Sequence, residues 1–263
     1  ALADGSAAKV DAELQRILTV DSILAQHAAA DPEVRSYLFR KQSWNKNSSV
    51  VRFDWPPITE TESAIGSIKA SWVTGPEGGI DGINTATDST ENTAARVAEL
   101  DLNRAAQHHL LHISAPIYDG KENRPIGWLH REYDVTKLFD PLIYPIRFGG
   151  TGHVMLINNT GTIISCPMLE TGSSIEDQVL LDRVTNDHAG WITAENDGHG
   201  RRVFSIIGYA PLTGVNSLLP LGESWHMFAW QDSREIFAPA KSLLMGVLLA
   251  GLLPLAAPSV SAQ

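Results

Sequence analysis

The sequence predicts an α+β protein in which two lobes, each built on an antiparallel sheet, are stacked along a long N-terminal helix. Two stretches carry this prediction, 113–133 (ISAPIYDGKENRPIGWLHREY) and 152–167 (GHVMLINNTGTIISCP). In each stretch an apolar run is followed by a polar turn rich in Gly or Asn and by a second apolar run, which is the pattern of a β-hairpin. The chain of 263 residues is long enough for two such lobes, because domains usually contain roughly 100–200 residues.

The first predicted element is a helix over 6–30. Ser6 is a suitable N-cap, and apolar residues recur along one stripe at three- to four-residue spacing, which is typical of an amphipathic helix. Asp31-Pro32 ends or kinks this helix because proline lacks an amide donor, and a second helical piece is predicted from Glu33 to about Lys41. The stripe consists of Val10, Leu14, Ile17, Leu18, Leu24 and Ala28.

Strands follow a loop over 47–61, in which Pro56-Pro57 excludes a central strand. The alternating stretch GSIKASWVT at 66–74 predicts the first strand. A Gly- and Pro-rich turn at 75–79 then returns the chain as a second strand over 80–86.

A polar stretch at 87–93 precedes a short apolar pattern, Ala94, Val97, Leu100 and Leu102, that predicts a helix. The strands His108–Pro116 and Pro125–Tyr133 then form the closing hairpin of the first lobe. The order strands, helix, strands is that of an α+β lobe.

The second lobe is predicted with the same kind of pattern. A connector from Thr136 to about Ile146 contains Pro141 and Pro145, which limit its helix length. From Asp232 onward the chain becomes helical and continues into an apolar tail. Between the connector and this helix we predict strands near 152–158, 162–166, 189–195, 201–209 and 224–231, and a helix near 175–186.

Charge and cysteine content exclude several function classes. Thirty acidic against twenty basic residues give a formal net charge of −10, and nucleic acid is not an expected partner because its phosphates require a basic face. The single cysteine, Cys166, excludes an intramolecular disulfide and any paired-cysteine metal or redox site. We expect no cofactor, and we expect Cys166 to be a small residue within a sheet.

The last 22 residues, Ser242 to Gln263, carry no charge and include the run LLMGVLLAGLLPLAA. About 20 apolar residues are needed for a helix to cross a bilayer, so this tail predicts a membrane span, in which Pro254 and Pro258 are tolerated. The same tail resembles a signal peptide with a small-residue cleavage site. Signal peptides stand at the N-terminus, so the membrane span is the favoured interpretation.

The two hairpins resemble those of the double Cache domain, the two-lobed, PAS-like extracytoplasmic sensor of bacterial transmembrane receptors. In that family a hairpin of the type SAPIYD…IGWL and a short D-x-x-x-L-F helix close the first lobe, and G-H-V-x-L-I-N-x-x-G-x-I-I-S opens the second. Residues 113–139 and 152–165 match this order and spacing. The resemblance implies an N-terminal helical stalk, a membrane-distal lobe, a membrane-proximal lobe and an exit helix with a transmembrane segment, at 1–46, 47–142, 143–232 and 233–263.

The resemblance implies a ligand-sensing region, periplasmic or extracellular, on a receptor of the cell inner membrane. A sensor histidine kinase is the expected output, with a chemoreceptor or a diguanylate cyclase as alternatives. A membrane-tethered solute-binding protein is an interpretation of a different class. Receptors of this kind pair along their long helices, so a homodimer is the expected assembly.

Catalytic and metal-binding motifs give no competing interpretation. The run HHLLH at 108–112 lies on a predicted strand, where His108 and His112 would be about 13 Å apart by strand rise, too far to hold one ion. The loop Gly149-Gly150-Thr151-Gly152 lacks the ending of a phosphate loop and precedes a strand rather than a helix. We therefore expect neither a metal site nor catalysis in these residues, although scattered carboxylates leave a periplasmic hydrolase open.

In the Cache family the pocket lies on the distal sheet, beneath the loop and helix that follow its second strand, so the resemblance places it at Asp88 to Gln107. An arginine there can bind a carboxylate through two parallel hydrogen bonds. Amino-acid-binding members carry a pair of aromatic residues beside that arginine, and this chain has none there, so the sequence does not favour an amino acid as the ligand. The open alternatives are a small carboxylate bound through an arginine, another kind of ligand, and sensing through the partner or the membrane. Trp72 and Trp128 are candidate pocket walls. The predicted ligand-binding residues are Trp72, Asp88, Arg96, Arg104, His112, Ser114 and Tyr118.

Overall fold

A computed structural model describes residues 2–30, 67–74, 95–103, 108–118, 125–185, 188–195 and 203–252. The helices are α1 (Leu2–Ala30), α2 (Val135–Ile143), α3 (Gln178–Val184), α4 (Thr213–Asn216) and α5 (Ser233–Leu252). The strands are β1 (Ile68–Thr74), β2 (Arg96–Asn103), β3 (His108–Tyr118), β4 (Pro125–Asp134), β5 (Arg147–Phe148), β6 (Gly152–Asn158), β7 (Ile163–Ser165), β8 (Gly190–Ala194), β9 (Ser205–Pro211) and β10 (Trp225–Asp232).

The strands form two antiparallel sheets. The first sheet has the order β1-β4-β3-β2, and the second has the order β5-β6-β10-β9-β8, with β7 paired to β6. The predicted hairpin of the first lobe is confirmed, since β3 pairs with β4 from Leu110–Asp134 to Tyr118–Pro125. The predicted α+β fold with two antiparallel sheets is therefore confirmed.

Helix α1 runs along both sheets. Near its N-terminus the Ala3 side chain lies beside Gly208 of the second sheet, and the Asp11 carboxylate accepts a hydrogen bond of 2.9 Å from the Gly214 amide. Further along, the Ser22 hydroxyl accepts a hydrogen bond of 2.7 Å from the Ala95 amide beside the first sheet. One helix thus holds both sheets in a fixed relation.

The apolar stripe of α1 is buried against these sheets rather than exposed. All its predicted members, Val10 to Ala28, belong to one apolar cluster with residues of both sheets and of α2. The stripe is therefore part of the core and is not available as a dimer surface.

One predicted helix is wrong. Residues 96–103 form the edge strand β2, which pairs with β3 from Arg96–Ser114 to Asn103–His108. Short apolar runs fit helix and strand equally well, and here the free edge of β3 decides the outcome by supplying hydrogen-bond partners. The predicted second strand at 80–86 lies outside the described residues.

Elements of the second lobe lie close to their predicted positions. The predicted strand at 152–158 is β6 itself, and the predicted helix at 175–186 is the shorter α3, capped by an Asp177 carboxylate that accepts a hydrogen bond from the Leu180 amide. Trp191 on β8 is 70% exposed, in contrast to the buried Trp225 and Trp230 of β10. Its strand is the edge of the second sheet, where one face meets water.

Helix α5 continues directly from β10 and presents many apolar side chains to solvent, among them Leu243, Leu244 and Leu249. The predicted membrane span, Ser242–Gln263, begins in this helix and extends beyond the described residues. None of the helices in the described ranges combines the length and apolar character needed to cross a membrane.

Candidate functional site

The two faces of the first sheet differ in character. On one face, alternate residues of β3 and β4 such as Leu111, Ile113 and Leu129 belong to the core shared with α1. The opposite face, which we call the outer face, carries the residues between them because side chains alternate along a strand. The outer face includes Thr74, Arg96, His112, Ser114, Tyr118, Trp128, His130 and Glu132.

A polar cluster lies at the centre of the outer face, around the buried side chain of His130. The Nε2 atom of His130 is 2.8 Å from Thr74 Oγ1, and its Nδ1 atom is 2.7 Å from Ser114 Oγ. His112 Nε2 lies 3.1 Å from the same Nδ1, with the two ring centroids 5.2 Å apart. Polar side chains of β1 and β3 therefore converge on the imidazole that His130 presents from β4.

Ionisable groups flank this cluster. Burial raises the pKa of the Glu132 carboxyl, and the negative charge of Glu99 on β2 raises it further. Burial also raises the pKa of the Tyr118 hydroxyl. Partly buried groups with shifted pKa values are typical of binding sites, although structural clusters show them as well.

The structure brings five of the seven predicted site residues to this sheet. His112, Ser114 and Tyr118 occupy alternate positions of β3, and Arg96 is the register partner of Ser114. Trp72 is the register partner of His130. Arg96 lies on a strand and not on the predicted helix, while Asp88 and Arg104 lie outside the described residues.

Sequence reasoning missed three residues of the outer face: Thr74, His130 and Glu132. The signal for the last two was present, since they occupy alternate positions of the predicted strand IGWLHREY together with Trp128. Their proximity to His112 depends on the register of the hairpin, in which Ser114 pairs with His130 and His112 with Glu132.

The corresponding face of the second sheet is filled by apolar side chains. Met155, Ile157 and Phe228 on its strands pack against Leu180 and Leu181 of α3 in a separate apolar cluster. A face that is already covered in this way leaves little room for a small molecule.

A cavity of about 390 Å³ lies between the two sheets. It is bounded by the edge strand β2 on one side and by Leu219, Pro220 and Glu223 on the other. The Val97 amide of β2 donates a hydrogen bond of 3.1 Å to the Leu218 carbonyl beside this cavity. The edge of the first sheet is therefore attached directly to the segment that leads into β10.

The loop Gly149-Gly150-Thr151 holds an anion supplied by the chain itself. The carboxylate of Glu235, in the first turn of α5, accepts hydrogen bonds from the amides of Gly150 and Thr151 and from the Thr151 hydroxyl. These hydrogen bonds lower the pKa of the Glu235 carboxyl to about 2, and the bond from the Gly150 amide has the largest effect. Gly149 has a φ of 62°, and a Cβ there would collide with the Glu235 carboxylate. The loop thus fastens α5 to the second sheet.

Within the described stretches, no group of three His, Cys, Asp or Glu side chains could hold a metal ion. Cys166 is buried, and burial raises the pKa of its thiol. Neither feature marks a second chemical centre beside the outer face.

No protein-family model and no curated protein matches the chain. Solved structures do. The ligand-binding domain of the amino acid chemoreceptor PctB of Pseudomonas aeruginosa, in complex with L-Arg, shares 17% identity and a TM-score of 0.51 over 90% of this chain and 94% of its own. The ligand-binding domain of the chemoreceptor CtaA of Pseudomonas fluorescens, in complex with L-alanine, shares 15% identity and a TM-score of 0.53 over 89% of this chain and 96% of its own.

The extracellular domain of the predicted histidine kinase mmHK1S-Z3 is similar to the same degree. It shares 13% identity and a TM-score of 0.51 over 89% of this chain and 92% of its own. At these identities the comparison shows a common fold. The resemblance to double Cache sensor domains is thereby confirmed at the level of the fold.

Proposed function

We propose that this chain is the extracytoplasmic ligand-sensing region of a bacterial transmembrane receptor and that its ligand binds on the outer face of the first sheet. The observation that carries the proposal is the buried polar cluster around His130, on a sheet whose counterpart is covered by apolar packing. Ligand sites combine apolar walls with a few convergent polar groups. Binding, rather than catalysis, is the chemistry that such an arrangement supports.

The ligand is proposed to be a small molecule with a carboxylate or an amino group. Arg96 would bind a carboxylate through its guanidinium, and the half-buried Glu132 carboxyl beside Glu99 would favour a cation. The similar chemoreceptor domains are described as complexes with L-Arg and L-alanine, which makes amino acids the first compounds to test. Trp72, Asp88 and Arg104 remain proposed contacts.

Strand β4 offers a route from the ligand to α1. Its residues alternate between the two faces, so that His130 and Glu132 lie on the outer face while Arg131 and Tyr133 point to α1. There, Arg131 Nη1 lies 2.6 Å from Asp21 Oδ1, and the Tyr133 hydroxyl donates to the same carboxylate at 3.0 Å. A shift of β4 on ligand binding would therefore move α1 along with it.

A second route leads toward the membrane. The Glu235 carboxylate fastens α5 to the second sheet, and α5 continues into the apolar tail. We propose that this tail anchors the chain in the inner membrane, that the receptor is a homodimer, and that a histidine kinase follows it. A chemoreceptor, a diguanylate cyclase sensor and a membrane-tethered solute-binding protein are alternatives. The sequence that the gene encodes after Gln263 would distinguish between these possibilities.

A thermal-shift screen tests the binding site. The panel contains the twenty standard amino acids, small mono- and dicarboxylates, and the amines obtained by removing the carboxylate from each amino acid. A ligand at a hundred times its dissociation constant adds about 2.7 kcal/mol of stability, which is readily measured. We expect at least one compound to raise the melting temperature.

Variants then locate the binding. Arg96→Ala should weaken a carboxylate ligand, whereas the matched change Arg147→Ala, at an exposed arginine of the second sheet, should not. A panel without any hit would refute the proposed function. A hit that is equally tight in both variants would remove Arg96 from the site.

A further inference from the structure

The indole of Trp128 presents an unusual donor on the outer face. Trp128 is only 4% exposed, and among the described residues its Nε1 atom is buried without a hydrogen-bond acceptor. A buried donor without an acceptor costs about 1–3 kcal/mol. Most buried polar groups in proteins have a partner, so this exception calls for an explanation.

The neighbours of Trp128 do not supply the acceptor. Its register partners are Thr74 on β1 and Pro116 on β3. The Thr74 hydroxyl lies 2.8 Å from His130 Nε2, and the Ser114 hydroxyl lies 2.7 Å from His130 Nδ1. The nearby side-chain oxygens are thus directed to the histidine, and proline contributes no polar side-chain atom.

We propose that Trp128 is a specificity-determining residue of the ligand site, and that its indole N–H donates a hydrogen bond to an oxygen of the ligand. The inference rests on the proposed function and adds one requirement to it: the ligand presents a carbonyl or carboxylate oxygen at this position. A ligand without such an oxygen would leave the donor unsatisfied in a buried site and would be rejected, as sites built to form a hydrogen bond reject analogues that cannot form it.

Nuclear magnetic resonance of the ¹⁵N-labelled chain tests the hydrogen bond directly. The chain has seven tryptophans, so its spectrum contains a small set of indole N–H signals, and Trp128→Phe identifies the one from Trp128. Pairs of compounds that differ only in the carboxylate serve as probes, for example L-leucine with isoamylamine and L-alanine with ethylamine. We expect a compound that raises the melting temperature to move the Trp128 indole proton downfield, and its decarboxylated partner not to bind.

Affinity gives a second readout. Trp128→Phe should lower the affinity for the compound about 10- to 100-fold, which corresponds to the loss of one hydrogen bond in a buried site. Trp191→Phe, at an exposed position of the second sheet, is the matched control and should change nothing. If the smaller ring of phenylalanine loosens the fold, benzothienylalanine at position 128 replaces it as the test variant. This residue retains the ring shape of tryptophan without the N–H, and it should weaken binding by a similar factor.

The outcomes separate this inference from the proposed function. If no compound changes the melting temperature or any signal of the first sheet, the proposed function fails. If a compound binds and shifts the signals of His112 and His130, but leaves the Trp128 indole unchanged and binds Trp128→Phe with equal affinity, the proposed function stands and this inference is overturned.

Discussion

Replacing Asp21 by asparagine should destabilise the protein far more than a surface substitution of the same kind. The side chains of Asp21 and Arg131 are 1% and 5% exposed and lie 2.6 Å apart, in the core between α1 and β4. Tyr133 donates to both carboxylate oxygens at 3.0 Å. Asp21→Asn removes the negative charge and leaves the buried Arg131 guanidinium without its counter-ion.

Breaking a buried pair by removing one partner costs about 3–5 kcal/mol, because the remaining charge stays out of water. This is a large part of the roughly 5–15 kcal/mol that holds a typical domain together. For a chain of this size it corresponds to a fall in melting temperature of about 6–20 °C. Tyr133→Phe, which removes the hydroxyl that donates to this carboxylate, should cost about 1.5–3 kcal/mol.

Urea unfolding followed by tryptophan fluorescence measures the free energy of unfolding of wild type and variants. Glu13→Gln is the matched control on the same helix, where Glu13 and Arg16 form a more exposed pair at 2.9 Å, and it should cost about 0.5 kcal/mol or less. The double variant Asp21→Leu, Arg131→Met should recover much of the lost stability, since apolar residues of similar volume can replace a buried pair. An Asp21→Asn variant no less stable than Glu13→Gln would refute the reasoning.

Three further results are expected. Glu235→Gln should lower stability at neutral pH. The pKa of Glu235 falls to about 2 in the folded protein from its ordinary 4.5, so its contribution is present above pH 4.5 and is lost as the pH falls toward 2, and denaturation curves of wild type and variant should converge there. Gly149→Ala should cost about 1–2 kcal/mol in a melting experiment, because φ is 62° and the new Cβ meets the Glu235 carboxylate; an unchanged melting temperature would show that the loop rearranges freely. Cys166 should react with a thiol reagent only after unfolding in guanidinium, since it is buried and its pKa is raised, whereas reaction in the native state at the rate of a free thiol would contradict its burial.

Sequence alone predicted the elements whose signal is local. The hairpin of β3 and β4 alternates apolar and polar residues around a Gly-containing turn, and the strands of the second lobe have the same pattern. The predicted bounds of these strands therefore lie close to the observed ones. Strand β2 was predicted as a helix because Val97 and Leu100 have helical spacing, and only its pairing with β3 shows that it is a strand.

The candidate site could be predicted only in part, because its contacts are not local. His112 and His130 are separated by 18 residues and meet through the hairpin register, which a bulge between Ile117 and Tyr118 shifts. Asp21 and Arg131 are separated by 110 residues. Neither pairing leaves a spacing motif in the sequence, and no sequence pattern marks the unsatisfied Trp128 donor.

The hydrogen bond from the Gly214 amide to the Asp11 carboxylate joins residues separated by 203 positions, and this has a consequence for the order of folding. During synthesis α1 is made well before β9 and β10, the strands that cover its N-terminal half. The N-terminal half of its apolar stripe must therefore wait until those strands have been made, and contacts between such distant segments form slowly. Until then this half of the stripe is exposed to other chains, so α1 is a segment through which newly made chains would aggregate.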